Sequence, residues 1–212
     1  MIRFITFEGG DGTGKSTQLQ ALERHLTGRG KSCLVTREPG GTSLGKVIRQ
    51  VLLEVGKQPL ASPTELFLYL ADRAQHIHEV VAPALAQGKI VLCDRHTDST
   101  LAYQGYGRGI DVALLRRLNE MASGGIKPDL TFLFDCPVEI ALSRTATRQF
   151  STAAAHREDR FEREELEFHE RVRAGFLELA GAEPSRFRII DASRSVAETA
   201  GEIKTIIDRE LS

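Results

Sequence analysis

Gly9-Gly10-Asp11-Gly12-Thr13-Gly14-Lys15-Ser16-Thr17 is the stretch that decides the fold. From Gly9 to Ser16 it satisfies G-x-x-x-x-G-K-[ST] at every position. An apolar strand pattern (residues 2–8) precedes it and a helical pattern (15–29) follows. The glycines let the chain turn tightly enough for successive N–H groups to face the phosphates of a nucleotide. The helix N-terminus beyond them adds the positive end of a dipole. In such a loop Lys15 reaches the β- and γ-phosphates, and the Ser16 hydroxyl ligates Mg²⁺. Gly9, Gly10, Asp11, Gly12, Thr13, Gly14, Lys15, Ser16 and Thr17 are therefore the expected ATP-binding residues, with Lys15 also catalytic.

Outward from this loop, strand and helix patterns alternate. Strands read at 2–8, 32–37, 89–94, 130–135 and 187–191, mostly as short apolar runs that suit strands covered on both faces. Helices read at 15–29, 43–55, 64–87, 98–104, 111–122, 137–148, 162–180 and 195–210. This order predicts an α/β fold of three layers, a P-loop NTPase fold with a five-stranded parallel sheet wrapped by helices, and with ligands beyond the carboxyl ends of the strands. Pro83 falls inside a helical pattern and predicts a kink or break. Residues 149–160 lose apolar periodicity between two helices and predict a mobile lid, at about 148–160, on a single domain spanning 1–212.

The 212 residues carry 28 Lys plus Arg against 29 Asp plus Glu, a net charge of −1, which argues against a broad nucleic-acid surface. No run approaches the length of a membrane span, and no signal peptide precedes the first strand pattern, so a cytoplasmic protein is expected. Cys33, Cys93 and Cys136 are read as buried strand residues in a reducing compartment, since their spacing suits neither zinc nor a redox pair.

The loop by itself does not choose among a kinase, a GTPase switch and an ATP-driven motor. An Asn-Lys-x-Asp guanine reader is missing, as is an Asp-x-x-Gly switch suitably placed after a strand. Two further segments point to a second substrate. Thr36-Arg37-Glu38-Pro39-Gly40-Gly41-Thr42 ends the second strand. Asp94-Arg95-His96, with Ser99-Thr100 and Ala102-Tyr103-Gln104-Gly105, follows the third. Together with Phe7-Glu8-Gly9-x-Asp11-Gly12-x-Gly14-Lys15-Ser16-Thr17, they make the chain resemble bacterial thymidylate kinases from about residue 2 to the last helix.

The resemblance implies transfer of a phosphoryl group from Mg-ATP to dTMP, giving dTDP for DNA synthesis, in a homodimer packed through helices. Residue chemistry agrees: joining two polyanions requires cations on both and a metal. Arg95 and Arg37 suit forked contacts to the acceptor phosphate. Asp94, at a strand end, suits organising Mg²⁺, making Ser16 and Asp94 the expected metal residues. By resemblance, Tyr69 stacks on thymine, Arg73 donates to its O4, and Thr100 and Gln104 meet its N3–H side. Tyr103 crowds the sugar 2′ position, and Asp11 meets the 3′-hydroxyl. Glu38, Pro39 and Ser99 complete the expected substrate site. Phe is frequent in the family where this chain has Tyr69.

Some family members carry a catalytic arginine in the loop, where this chain has Thr13; in the other subtype it comes from the lid. Arg148 and Arg157 are the preferred candidates, with Arg160 also available and Arg144 just upstream. Arg144 is also expected near the adenine, beside the Asp191-Ala192-Ser193 turn. The segment from Phe161 through Phe168, Val172, Phe176 and Leu179 reads as an amphipathic helix with an i,i+4 pair from Glu167 to Arg171. Two rival functions stay open at this level: a deoxynucleoside kinase, with Glu38 as base, and a non-catalytic ATP switch.

Overall fold

The computed structural model describes residues 2–53, 60–151 and 164–211. Five parallel strands form one sheet: β1 (Phe4–Glu8), β2 (Cys33–Arg37), β3 (Ile90–Asp94), β4 (Leu130–Asp135) and β5 (Phe187–Asp191), in the order β2-β3-β1-β4-β5. From β1 the chain serves one side with β2 and β3 and the other with β4 and β5. A crevice therefore opens at the carboxyl end of β1, where the Gly9–Thr17 loop begins. Register pairs Phe7 with Asp94 and Arg37 with Asp94, so the three strand ends carrying the sequence motifs lie side by side.

The helices are α1 (Lys15–Gly28), α2 (Ser43–Leu53), α3 (Ser62–His76), α4 (Ala82–Ala86), α5 (Thr97–Thr100), α6 (Val112–Ala122), α7 (Val138–Ser151), α8 (Leu166–Ala182) and α9 (Val196–Glu210). Between α3 and α4 the chain runs through a π-helical stretch, Ile77–Val81. This is the irregularity expected from Pro83, which has no N–H to offer the Glu79 carbonyl; wider turns just upstream absorb the defect. A second π-helical stretch, Leu101–Gly107, extends α5 and carries Tyr103 and Gln104. Asp111 caps α6 by accepting from Ala113 N at 2.7 Å, and Ser195 and Glu198 form a capping box on α9.

One face of the sheet packs Phe7, Phe132 and Phe134 against Leu19 and Leu22 of α1 and Ile203 and Ile207 of α9. The other core joins Leu66 and Leu70 of α3 to Leu101, Leu115, Phe168 and Phe176. Burial of each such side chain is worth roughly 1.5–3 kcal/mol, so the strand ends that carry the site are firmly held. The inner strands β1, β3 and β4 are buried almost throughout, but β2 and β5 are edges with exposed Val35 and Ile189, so the two-face burial expected of most strands holds for three of the five. Cys93 is buried in β3. Cys136 is buried just beyond β4 rather than within it, and Cys33 is only half-buried. Phe168, Val172, Phe176 and Leu179 form the expected buried stripe of α8, while Phe161 lies outside the described residues. Arg171 does not make the expected pair with Glu167: its guanidinium donates to the Gly107 carbonyl at 3.2 Å, tying α8 to the second π-helical stretch.

Candidate active site

The donor end is built almost entirely from backbone. Gly9 and Gly12 hold φ values of 129° and 78°. A Cβ would lie 2.4 Å from the Phe134 carbonyl oxygen at Gly9 and 2.0 Å from that of Ala141 at Gly12, so both positions need glycine for space as well as conformation. No side chain caps the first turn of α1, which leaves its N–H groups to an incoming anion. Lys15 folds back over the loop, its Nζ donating to the carbonyls of Gly9 at 3.0 Å and Gly10 at 2.6 Å. Thr13 Oγ1 donates to Gly10 as well, at 2.9 Å. Burial, and then the Arg95 charge, bring the Lys15 ammonium down to about 8. Ser16 Oγ donates to Asp94 Oδ2 at 2.8 Å, joining the two expected metal residues from the start of α1 and the end of β3.

The acceptor end begins with Arg95, the one non-glycine at positive φ (68°) among the described residues. Consecutive residues of the first motif hold that strained turn. Phe7 O accepts from Arg95 N at 3.0 Å; Glu8 accepts from His96 N at 2.7 Å and from Ser99 Oγ at 2.6 Å. Burial, then the nearby Asp98 carboxylate, push Glu8 up to about 8. The Arg95 guanidinium donates to Gly9 O (2.9 Å), Ser99 Oγ (3.1 Å), Asp11 Oδ1 (2.6 Å) and Tyr103 Oη (3.2 Å). Tyr103 Oη in turn donates to Asp11 Oδ2 at 3.0 Å. Burial would raise the Asp11 carboxyl, but Arg95 and then Lys15 outweigh it and hold the group below the usual carboxylate range.

Behind Arg95 lies a pocket lined by Glu38, Pro39, Tyr69, Arg73, Ser99, Thr100, Tyr103 and Gln104, each expected from sequence. Arg73 is 2% exposed. Its Nε donates to Glu38 Oε2 at 2.8 Å, and its Nη1 donates to Thr100 Oγ1 at 2.9 Å and Asn119 Oδ1 at 2.6 Å. Glu38 Oε1 meets both His76 Nδ1 (2.8 Å) and His96 Nδ1 (3.1 Å). Burial opposes the Glu38 charge, yet His96 and then Arg73 hold its carboxyl well below the usual range. A carboxylate so pinned is a poor proton acceptor, which removes the group on which the deoxynucleoside-kinase reading depended.

Arg37 is not brought into this pocket: it ends β2 with an exposed side chain and is absent from the lining. Arg49 of α2 lines the pocket instead, donating to Pro39 O at 3.0 Å, a cation that no motif marked. Arg144 of α7 donates to the carbonyls of Ala192 (2.7 Å) and Ser193 (3.4 Å), so it does meet the turn after β5. Arg157 and Arg160 lie outside the described residues, as does the Arg148 side chain at the end of α7. Sequence reading also missed His76, Asn119 and Glu65. Each is buried and reaches the pocket through another side chain, so neither spacing nor a motif exposes it.

Residues 7–203 match the family model described as thymidylate kinase. The thymidylate kinase of Geobacter sulfurreducens is 53% identical over 204 residues, covering 96% of this chain and 95% of that one. That of Desulfovibrio desulfuricans is 52% identical over 208 residues, covering 98% and 96%. The crystal structure of thymidylate kinase from Ehrlichia chaffeensis superposes with a TM-score of 0.77 at 35% identity, covering 97% of this chain and 98% of that one. With a matching family model over most of its length and relatives that share half its residues, the chain belongs to the thymidylate kinase family.

Proposed function

We propose that the protein transfers the γ-phosphoryl group of ATP to the 5′-phosphate of dTMP, giving dTDP. One observation carries the reading: Lys15, from the donor loop, and Arg95, from the acceptor side, both donate to the carbonyl of Gly9, at 3.0 and 2.9 Å. Two cations converge on one point with an uncapped helix on one side and a pocket on the other. An arriving phosphate on either side would exchange the Gly9 carbonyl for a charged oxygen, a stronger partner for either cation. That arrangement fits in-line transfer between two phosphates, where catalysis is positioning and charge neutralisation and needs no covalent intermediate.

In this mechanism the first-turn N–H groups of α1 and Lys15 hold the ATP phosphates. Arg95 turns from Asp11 to the acceptor phosphate. Tyr69 stacks on the base, Arg73, Thr100 and Gln104 read its edge, and Asp11 and Tyr103 face the sugar. Ser16 and Asp94 present hard oxygens in contact with each other, a donor set that fits Mg²⁺. The ion, when bound, supplies neutralisation of the phosphate charge. Because Thr13 offers no charge, an arginine from 148–160 completes the set, with Arg148 and Arg157 first in line. Arg144, fixed on the Ala192–Ser193 carbonyls, borders the adenine side. A cytoplasmic location is in keeping with these small-molecule substrates and with free cysteines.

The protein acts as a homodimer. Leu44, Val47 and Val51 on α2 and Phe67 on α3 are from 45% to 61% exposed and share one pair of packed helices, an apolar face that suits a second copy. Light scattering of Val47→Asp should give a monomer where the parent gives a dimer. The catalytic reading is tested by ADP release with Mg-ATP and a panel of dTMP, dUMP, dCMP, dGMP, UMP and thymidine. Turnover with dTMP and little with the purine or thymidine is expected; turnover with thymidine but not dTMP would overturn it.

A further inference from the structure

We infer that Glu65, which does not line the pocket, sets base selectivity by fixing which way round the Gln104 amide points. The inference rests on the dTMP reading above and deepens it. Glu65 stands on α3, 1% exposed, behind the pocket wall. Its Oε1 accepts from Gln104 Nε2 at 2.8 Å. The Arg108 guanidinium lies 3.4 Å from Oε2, an ion pair on the other oxygen of the same group. A carboxylate has lone pairs and no proton to give. Gln104 must therefore turn its NH₂ toward Glu65 and its carbonyl Oε1 away. The side chain is 1% exposed, so water cannot compensate an inverted amide, which would set a carbonyl against a carboxylate.

The consequence reaches the ligand through Arg73. Its Nε and Nη1 are spent on Glu38, Thr100 and Asn119, while Nη2 makes no hydrogen bond among the described residues. The pocket thus offers a base edge one donor, from Arg73, and one acceptor, Gln104 Oε1. A pyrimidine with a C4 carbonyl and an N3–H matches that pair. A 4-amino pyrimidine presents a donor and an acceptor in the same two places and is mismatched at both. Glu65 is a positioning residue: it touches no substrate, and its effect is carried by the amide it orients.

The test is Glu65→Gln, which keeps the shape but lets residue 65 donate to Gln104 Oε1 and so frees the amide to invert. kcat/KM is measured with dTMP and with dCMP at saturating Mg-ATP for the parent and the variant. The dTMP:dCMP ratio should fall by about tenfold or more, through a higher KM for dTMP with the KM for ATP unchanged. A ratio that stays put, or an equal loss on both substrates and on ATP, contradicts the inference. Should the variant fail to fold, nuclear Overhauser contacts in the parent–dTMP complex decide the matter. The Gln104 NH₂ protons should contact Glu65 and not the base; contact with the base N3 proton contradicts the inference. A parent enzyme that turns over neither pyrimidine sinks the dTMP reading as well, whereas dTMP turnover with an unmoved ratio sinks this inference alone.

Discussion

The donor loop and the acceptor pocket meet at Gly9 and are made of opposite materials. The loop presents backbone N–H groups and one lysine, shaped by glycines at φ 129° and 78°. The pocket is a set of buried ionisable groups: Glu38, Arg73, His76 and His96 from three separated segments, locked together by three contacts to the Glu38 carboxylate of 3.1 Å or less. Backbone donors are part of the fold and cost little to keep. Buried charges are desolvated and stay in place only while every partner remains. The loop should therefore lose chemistry without losing stability when its lysine is removed, while the pocket should lose both.

The sharpest contrast comes from Glu38→Gln. It leaves Arg73 buried without its carboxylate, and chemical denaturation at pH 7 should show a loss of about 3–5 kcal/mol. The Glu38 carboxyl is held below its ordinary 4.5 in the folded protein, so its contribution is complete above that value and is lost as pH falls from there toward the depressed folded value. Parent and variant stabilities should accordingly converge on acidification. A gap that stays constant with pH would mean that the charge is not what holds the pocket.

Lys15→Ala comes next, and on the other side of the comparison. kcat should fall about 10²–10³-fold with the unfolding midpoint little changed. Equal loss of stability in the two variants would erase the distinction between the regions. Arg95→Ala should raise the KM for dTMP by about 10- to 100-fold, the range for one lost charge-assisted hydrogen bond, and spare the KM for ATP. Unchanged dTMP kinetics would remove Arg95 from the acceptor side.

The smallest effect probes the junction itself. Burial, then Arg95, bring Lys15 down to about 8, so in the free enzyme it gives up its proton above that pH. Mg-ATP affinity, measured by calorimetry, should weaken as pH rises through 8, because the phosphates need the charged lysine. In Arg95→Ala one of the two lowering causes is gone, and the alkaline limb should move to higher pH. A limb that stays in place would show that the two cations do not feel each other through the Gly9 site.

The same difference in material explains what could be read from sequence. The loop is one contiguous pattern between a strand and a helix, so its residues, its fold context and the parallel sheet were all legible; each of the five strands falls within two residues of its expected bounds. Tyr69 with Arg73, and Thr100 with Gln104, were legible as pairs four apart that share a helix face. Arg37 stands exposed and outside the pocket lining, because strand-end position alone does not say which side of an edge strand a long side chain takes. His76, Asn119 and Glu65 were invisible because each acts through a neighbour: only the fold shows that residues 38 and 76, 73 and 119, or 65 and 104 touch. The π-helical stretch at Ile77–Val81 was legible as trouble near Pro83, though not as a wider turn upstream of it.

The most direct test of the central claim is to follow the label from γ-³²P-ATP in the presence of Mg²⁺ and either dTMP or thymidine. The account predicts labelled dTDP from dTMP and no labelled product from thymidine. Labelled dTMP formed from thymidine, or label released solely as inorganic phosphate whichever acceptor is present, would contradict it.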